Sequence, residues 1–357
     1  MNRDLEFAEL DTKIGQLFMA GIPGTRLDEG TSNLIRRYHL GGVILFSRNI
    51  QDPVQLATLC RDLQDTAMRY HHSPLLLAID QEGGRVARLK EPFTVFQGNA
   101  AIGMDPRPVE KAVEFAQIAG KEMKMVGLNM NLAPVVDVQR GEPEKHLTGR
   151  IFGEDPQRVA LLGRTVIKTL QENGVMAVAK HFPGLGRTIF DPHFALPRID
   201  IDMKEMEEVH LPPFREAIEE GVSGIMTSHA VYPALDSERP ATLSSVILTD
   251  LLRDRMGFEG LIITDDLEMG AIAGHGGVGT GALNAFKAGA DILLICKDQR
   301  NVLESIGLIK DSLIRGEVSV QRFDESNQRI HKIRSQFLNR EVGISPSEIR
   351  EYFNIDV

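Results

Sequence analysis

Short apolar runs recur along the chain, and amphipathic segments separate them. Most of the runs lack the alternation of polar and apolar residues that a strand with one solvated face would show. They therefore predict strands that are buried on both faces, as in a parallel sheet covered by helices. The eight predicted strands are residues 15–22, 41–47, 74–80, 129–138, 176–182, 223–230, 260–265 and 291–297.

Segments with a helical spacing of apolar residues separate these strands, at residues 52–69, 108–126, 156–173, 204–220 and 244–256. A strand followed by a helix, repeated eight times, is typical of a TIM (β/α)8 barrel, which is an α/β fold. A doubly wound open sheet is the alternative. We favour the barrel because the strand count closes at eight and residues 300–337 supply the last helices. Since no linker rich in Pro, Gly or Ser divides the chain, we predict one barrel domain over residues 1–340. The tail, residues 341–357, is expected to form a short helix packed on the barrel.

Polar side chains stand at the carboxyl ends of nearly all the predicted strands. Barrel active sites are built there, where each strand gives way to a loop. One such residue alone could be a solvated strand end or a helix N-cap. The whole set is more than strand termination needs, so it predicts an active site. The strand-end residues are Ser47, Asp80, Asp137, Lys180, His181, Ser228, His229, Asp265 and Lys297.

The third predicted strand ends in a dense charged segment that begins at Asp80, ends at Arg88 and contains a pair of glycines. Glycine lets the backbone turn sharply or approach a ligand closely. Asp80 can accept hydrogen bonds from sugar hydroxyls, and Arg88 can donate to them. A salt-bridged surface turn is the simpler interpretation. The crowding of acids, arginines and glycines at one strand end favours a binding site.

The fifth predicted strand ends in Lys180 and His181, and a loop rich in Gly and Pro follows it. On this loop Asp191 and His193 are two residues apart, so they can lie on the same side. A carboxylate beside an imidazole stabilises the protonated form and fixes the tautomer. A lone histidine on a loop is usually only exposed, but loops on a rigid scaffold often carry function. The pair therefore predicts a proton donor and acceptor.

The seventh predicted strand runs from three apolar residues into the paired acids Asp265 and Asp266. Asp265, as the last strand residue, should point into the barrel mouth, whereas Asp266 can cap the helix that follows. A carboxylate nucleophile and a separate proton donor are the minimum equipment for retaining glycoside hydrolysis. Asp265 is therefore the candidate nucleophile.

Composition and charge exclude several classes of protein. The formal net charge is −10 at pH 7, which argues against a nucleic-acid partner because phosphate binding needs a basic face. Cys60 and Cys296 lie in separate apolar stretches and predict no disulfide framework. No signal-like segment and no long apolar run is present, so we expect a cytoplasmic monomer without a membrane partner. We also expect no metal, because His71 with His72 and Asp200 with Asp202 lack the spacing and partners of a metal site. We expect no other cofactor, because the glycine-rich match to a dinucleotide-binding motif at residues 274–279 does not follow a strand.

These segments together resemble glycoside hydrolase family 3 over residues 14–297, and within it the single-barrel bacterial β-N-acetylglucosaminidases of cell-wall recycling. The most specific part is the run 180–184 together with Asp191 and His193. The resemblance implies that His193 is the general acid/base, paired with Asp191, and that Asp265 is the nucleophile. It also implies that five residues bind the sugar: Asp80, Arg88, Arg150, Lys180 and His181.

The chain departs from the family pattern at three positions. Leu185 stands between two glycines where the family often has histidine, and Pro192 separates the two members of the dyad. Glu268 follows the nucleophile segment where a small residue is common. None of these changes removes a catalytic group. Multi-domain β-glucosidases of the family take their acid/base carboxylate from a later domain, whereas here we expect His193 to move the proton.

The resemblance implies a retaining β-N-acetylhexosaminidase. Its expected substrate is carbohydrate with a terminal non-reducing β-linked N-acetylglucosamine, in peptidoglycan-derived muropeptides or oligosaccharides. A β-glucosidase-like hydrolase or a glycoside phosphorylase of the same family is the alternative. Outside the family, Lys180 could be the Schiff-base lysine of a barrel aldolase, or the barrel could bind sugar without turning it over.

Overall fold

A closed parallel barrel of eight strands forms the centre of the molecule. The computed structural model describes residues 10–141, 144–187, 196–274, 276–338 and 345–355. Each strand pairs in parallel with the next along the chain from β1 to β7, and β8 pairs with β1. The predicted TIM barrel is therefore confirmed, and the open sheet is excluded. The strands are β1 (Phe18–Gly21), β2 (Gly42–Leu45), β3 (Leu76–Ile79), β4 (Met130–Asn131), β5 (Met176–Phe182), β6 (Gly224–Thr227), β7 (Leu261–Ile263) and β8 (Leu293–Ile295).

Every residue of these eight strands is buried, as the absence of polar alternation predicts. The regular part of β4 is shorter than the predicted strand 129–138. Pro134 has no N–H to donate to a neighbouring strand, so the ladder is interrupted there. Beyond it the chain still follows β5, since Val136 N donates to Lys180 O at 2.8 Å. This keeps the residues after β4 beside the end of β5.

The seam between β7 and β8 is closed with the help of a buried carboxylate. One parallel bridge joins Ile263 to Ile292, and Asp291 N donates to Ile262 O at 2.7 Å. The Asp291 carboxylate accepts from Ile262 N at 3.0 Å and forms an ion pair with Arg253. A buried charge is tolerated only when it is paired and hydrogen-bonded. Asp291 thus stabilises the closure at the amino-terminal end of the barrel.

Helices surround the barrel, and all five predicted helical segments are helical. The Asp52 carboxylate accepts from Val54 N at 2.8 Å and from Gln55 N at 2.9 Å, and Asp155 accepts from Gln157 N at 3.0 Å. Each of these caps precedes a proline, which has no N–H to leave unpaired in the first turn. The main helices are Glu29–Tyr38, Pro53–His71, Asn99–Met104, Pro108–Met125, Pro156–Glu172, Pro212–Glu219, Val278–Ala288, Gln299–Ile314, Val320–Phe337 and Pro346–Phe353, with π-helical segments at Met206–His210 and Val246–Arg255.

The last helix, Pro346–Phe353, packs against the barrel's outer layer. Its Phe353 ring lies edge-on to Phe93, with the ring centres 4.7 Å apart, and Ile349 is buried. Lys121 Nζ lies 4.4 Å from the centre of the Tyr352 ring. In the described part of the chain, no helix is long and apolar enough to cross a membrane.

Candidate active site

A buried ionic network lies at the carboxyl ends of β3 and β5. Lys180 Nζ donates to Asp80 Oδ1 at 2.9 Å and lies 2.7 Å from Glu82 Oε1. Arg150 donates two parallel hydrogen bonds to the same glutamate, from Nε to Oε2 and from Nη2 to Oε1, both 2.8 Å long. Such bidentate pairs fix the position of both side chains. Asp80, Arg150 and Lys180, three of the sequence-predicted residues, are therefore brought together, and Glu82 connects them.

The network fixes the charge of its members. Burial alone would lower the pKa of Lys180, but the carboxylates of Asp80 and Glu82 raise it above its usual range. Burial would likewise raise the pKa of Asp80, yet Lys180 and Arg88 hold it below its usual range. Lys180 is thus a protonated ammonium ion paired with two carboxylates, and not a free amine. A Schiff-base aldolase needs a neutral amine as nucleophile, so this geometry argues against that alternative.

Arg88 is a second cation that pairs with Asp80. Its Nη2 lies 3.1 Å from Asp80 Oδ2, and its backbone N–H donates to Gln81 Oε1 at 3.0 Å. Each Asp80 oxygen therefore has one protein donor. A carboxylate oxygen accepts more than one hydrogen bond, so both oxygens can still accept from hydroxyl groups.

His181 is oriented by a buried aspartate that follows β4. Its Nδ1 lies 2.8 Å from Asp137 Oδ2, and Asp137 Oδ1 accepts from Leu185 N at 2.7 Å. Burial would raise the pKa of Asp137, but His181 and the backbone donors hold it below its usual range. Because Asp137 occupies Nδ1, the other ring nitrogen, Nε2, remains for a ligand.

Asp265 and Asp266 follow β7 and differ in environment. Burial would raise the pKa of Asp265, but His229, His181 and Lys180 lower it, together with a 2.8 Å bond from Asp266 N. Asp266 instead accepts from Glu268 N at 3.1 Å, and burial raises its pKa to about 6. Asp265 is thus the member of the pair that stays ionised to lower pH.

The loop after β5 is anchored at its root. Gly184 has φ of +134°, and a Cβ there would lie 2.8 Å from His210 Cβ, so a side chain would not fit. Tyr232 Oη donates to Gly184 O at 3.0 Å, and Arg187 Nη1 lies 2.7 Å from both carboxylate oxygens of Glu205. The predicted dyad on this loop, Asp191 and His193, lies outside the described residues.

The residues that the structure describes contain no group of three or more His, Cys, Asp or Glu side chains that could hold a metal ion. What they do contain is a cluster of carboxylates, ammonium and guanidinium groups at one barrel end. That arrangement can bind several hydroxyl groups and can present one carboxylate to an electrophilic carbon.

Comparison with known families agrees with this geometry. The family model described as the glycosyl hydrolase family 3 N terminal domain matches residues 9–333. The chain belongs to glycosyl hydrolase family 3. The membership predicted from the motif residues is thereby confirmed.

Relatives within family 3 carry hexosaminidase names. Beta-hexosaminidase A of Pseudoalteromonas piscicida is 36% identical over 334 residues, which are 87% of this chain and 56% of that protein. Beta-hexosaminidase of Nitrosomonas eutropha is 38% identical over 285 residues, 78% of this chain and 80% of that protein. The solved structure of a family 3 beta-N-acetylglucosaminidase from a Paenibacillus species has a TM-score of 0.90 and 37% identity, covering 96% of this chain and 68% of that one. These relatives support the prediction of a glycosidase.

Two buried residues of this family 3 site had no individual role in the sequence prediction: Glu82 lay unremarked in the charged segment 80–88, and Asp137 was named only as a strand-end residue. Glu82 lies two residues after Asp80, where strand alternation places both side chains on one side, and it unites Lys180 with Arg150. Asp137 lies near the end of the fourth predicted strand, and the parallel neighbour β5 brings His181 beside it. Adjacency of consecutive strands in a barrel was the signal that could have paired Asp137 with His181.

Proposed function

We propose that this chain is a retaining β-N-acetylhexosaminidase that removes terminal non-reducing β-linked N-acetylglucosamine. The observation that carries the proposal is the convergence of an anionic Asp265 with the Asp80–Lys180–Glu82–Arg150 network at one end of a family 3 barrel. A site of this charge pattern suits a neutral, hydroxyl-rich ligand, because the charges of the network are already paired and its groups still offer hydrogen bonds. The names of the relatives point to an N-acetylhexosamine as that ligand.

The reaction would proceed by double displacement. The Asp265 carboxylate attacks the anomeric carbon while protonated His193 donates its proton to the leaving oxygen, which breaks the glycosidic bond. Neutral His193 then takes a proton from water, the water oxygen attacks the anomeric carbon, and Asp265 leaves as a carboxylate. Asp191 would stabilise the imidazolium form between these steps. Asp80, Arg88, Arg150, Lys180 and His181 would hold the sugar.

Matched chromogenic substrates test the substrate class. We expect the 4-nitrophenyl β-N-acetylglucosaminide to be hydrolysed much faster than the β-glucoside that lacks only the acetamido group. A faster reaction with the β-glucoside would make the chain a β-glucosidase-like enzyme. Measurement of sugar 1-phosphate with and without added phosphate distinguishes hydrolysis from phosphorolysis. The peptidoglycan source of the substrate is tested by release of N-acetylglucosamine from purified muropeptides.

Replacement of His193 by alanine tests the proton donor. General acid/base catalysis contributes about 10²–10⁴-fold, so His193→Ala should lower kcat/KM by that amount for an oligosaccharide substrate. The loss should be much smaller for 4-nitrophenyl or dinitrophenyl glycosides in the first step, because these leaving groups depart without protonation. Steady-state and burst kinetics with both substrate types measure the difference. An equal loss for all leaving groups would assign the proton transfer to another residue.

The cytoplasmic location and the monomeric state stay predictions from the sequence. Cell fractionation with an antibody tests the first, and sedimentation equilibrium tests the second.

A further inference from the structure

His229 lies at the carboxyl end of β6, beside the loop that carries Asp265. It is 1% exposed, and the proposed reaction gives it no task. Its Nε2 lies 3.0 Å from the carbonyl oxygen of Asp266, and its Nδ1 lies 2.7 Å from Thr242 Oγ1. A buried imidazole held at both nitrogens has one orientation, so it can hold a neighbouring segment in place.

The bonding pattern defines what each nitrogen does. A carbonyl oxygen only accepts, so Nε2 must carry a proton and donate it to Asp266 O. The Thr242 hydroxyl donates its one proton to Ser228 O at 3.0 Å. While that bond is present, the hydroxyl can only accept from Nδ1–H, so both ring nitrogens of His229 act as donors.

We propose that His229 is a positioning residue for the nucleophile: its Nε2–H bond to the Asp266 carbonyl fixes the Asp265–Asp266 segment in the orientation for attack. The inference rests on the proposed role of Asp265. The segment has a second attachment, since Glu268 accepts from Asp298 N at 3.0 Å and thereby joins it to the loop after β8. His229 joins the same segment to the end of β6.

The charge of His229 acts on the same carboxylate. Burial would raise the pKa of Asp265, and His229 has the largest opposing effect, ahead of His181 and Lys180. Among the described residues, the ionisable groups that interact electrostatically with Asp265 are His229 after β6, His181 and Lys180 at the end of β5, Asp266 on its own loop and Cys296 after β8. Loss of the histidine charge should therefore raise the pKa of Asp265 and move the acid limb of the kcat/KM profile to higher pH.

Two substitutions separate position from charge. In His229→Gln the amide nitrogen can occupy the place of Nε2 and still donate to the Asp266 carbonyl. In His229→Asn the shorter amide reaches Thr242 but not that carbonyl. We expect kcat of His229→Asn to fall about 100-fold, the size of effect that a misplaced reacting group produces, while KM changes little. His229→Gln should lose less of kcat, and both variants should show the shifted acid limb.

The assay is hydrolysis of 4-nitrophenyl β-N-acetylglucosaminide from pH 4 to 9, with circular dichroism to check folding. His72→Asn is the matched control, because His72 is an exposed histidine at the C-terminus of helix Pro53–His71. Equal losses of kcat in the Asn and Gln variants with an unmoved acid limb, or wild-type kcat in His229→Asn, would overturn the proposal. If neither variant folds, Thr242→Val must lower kcat by removing the Nδ1 partner, and unchanged kcat would also overturn it. Asp265→Asn in the same assay distinguishes failure of the His229 proposal from failure of the proposed function, since full activity of Asp265→Asn would refute the proposed function itself.

Discussion

Asp265→Asn is expected to lower kcat/KM for β-N-acetylglucosaminides by at least about 10⁴-fold, the scale of loss seen when a catalytic nucleophile is removed. The amide has nearly the shape of the carboxylate and can still accept the 2.8 Å bond from Asp266 N. It cannot form the glycosyl ester, because a neutral amide oxygen is a poor nucleophile. The loss therefore measures covalent catalysis and not a disturbance of the fold.

The environment of Asp265 supports this role. His229, His181 and Lys180 outweigh the burial that would otherwise raise its pKa, so the carboxylate is ionised at neutral pH. The Lys180 ammonium also stabilises it as a leaving group in the second step, when the ester is cleaved. Activity governed by this group should be retained at neutral pH and lost as the pH falls through its lowered pKa.

Asp266→Asn is the matched control, since it changes the neighbouring carboxyl in the same way. Asp266 accepts from Glu268 N at 3.1 Å and from Cys296 N at 3.3 Å, so its side chain is turned into the loop. An asparagine oxygen can accept both bonds, and we expect a far smaller loss of activity than in Asp265→Asn. The reverse order of the two losses would move the nucleophile from Asp265 to Asp266.

Chemical rescue gives a direct test of the geometry. In Asp265→Ala the missing side chain leaves room for azide, which can attack the anomeric carbon from the same face as the carboxylate. Rescue of an activated substrate should give the α-glycosyl azide, whose configuration is read by NMR. A β-azide, or no rescue together with normal folding, would contradict nucleophilic attack from this side.

The fold was predictable because its signal is repeated. Buried strands alternate with amphipathic helices, and the eight strands are the number that a (β/α)8 barrel needs to close. The interruption of β4 was predictable in principle, because Pro134 cannot donate to the ladder. The support from Asp291 at the β7–β8 seam was not, since its partners Arg253 and Ile262 are distant in sequence.

Several residues of the site could be predicted from the sequence, but the ion pairs and hydrogen bonds between them could not. Strand ends identified Asp80, Lys180 and Asp265 because parallel strands deliver their last residues to one end of the barrel. The pairing of each cation with a carboxylate depends on the direction and burial of the side chains. The order of residues along the chain does not give that information. Arg150 shows the difference: the resemblance implies a sugar contact, which stays a prediction, but it gives no sign of the ion pair that its guanidinium forms with Glu82.

Glu82 should be among the most sensitive positions for stability. Its side chain is 1% exposed and lies between Lys180, at 2.7 Å, and Arg150, at 2.8 Å. Glu82→Gln keeps the volume but leaves two buried cations with too little negative charge. Removing one partner of a buried ion pair typically costs about 3–5 kcal/mol, and we expect a loss of this size in the free energy of unfolding. Urea denaturation at pH 7 measures it.

The contribution of Glu82 to the stability of the wild type should also depend on pH. Burial would raise the pKa of Glu82, but Lys180 and Arg150 lower it to about 2, against about 4.3 for an unfolded glutamate. Its contribution is therefore complete above the unfolded pKa and is lost as the pH falls towards the folded one. The stability difference between wild type and Glu82→Gln should shrink from pH 5 to pH 2, because the glutamine does not titrate. Glu259→Gln is the control, since Glu259 forms an exposed pair with Lys332 at 2.9 Å. We expect it to change neither the unfolding midpoint nor its pH dependence, and an equal loss in both variants would show that the buried network contributes nothing particular to the fold.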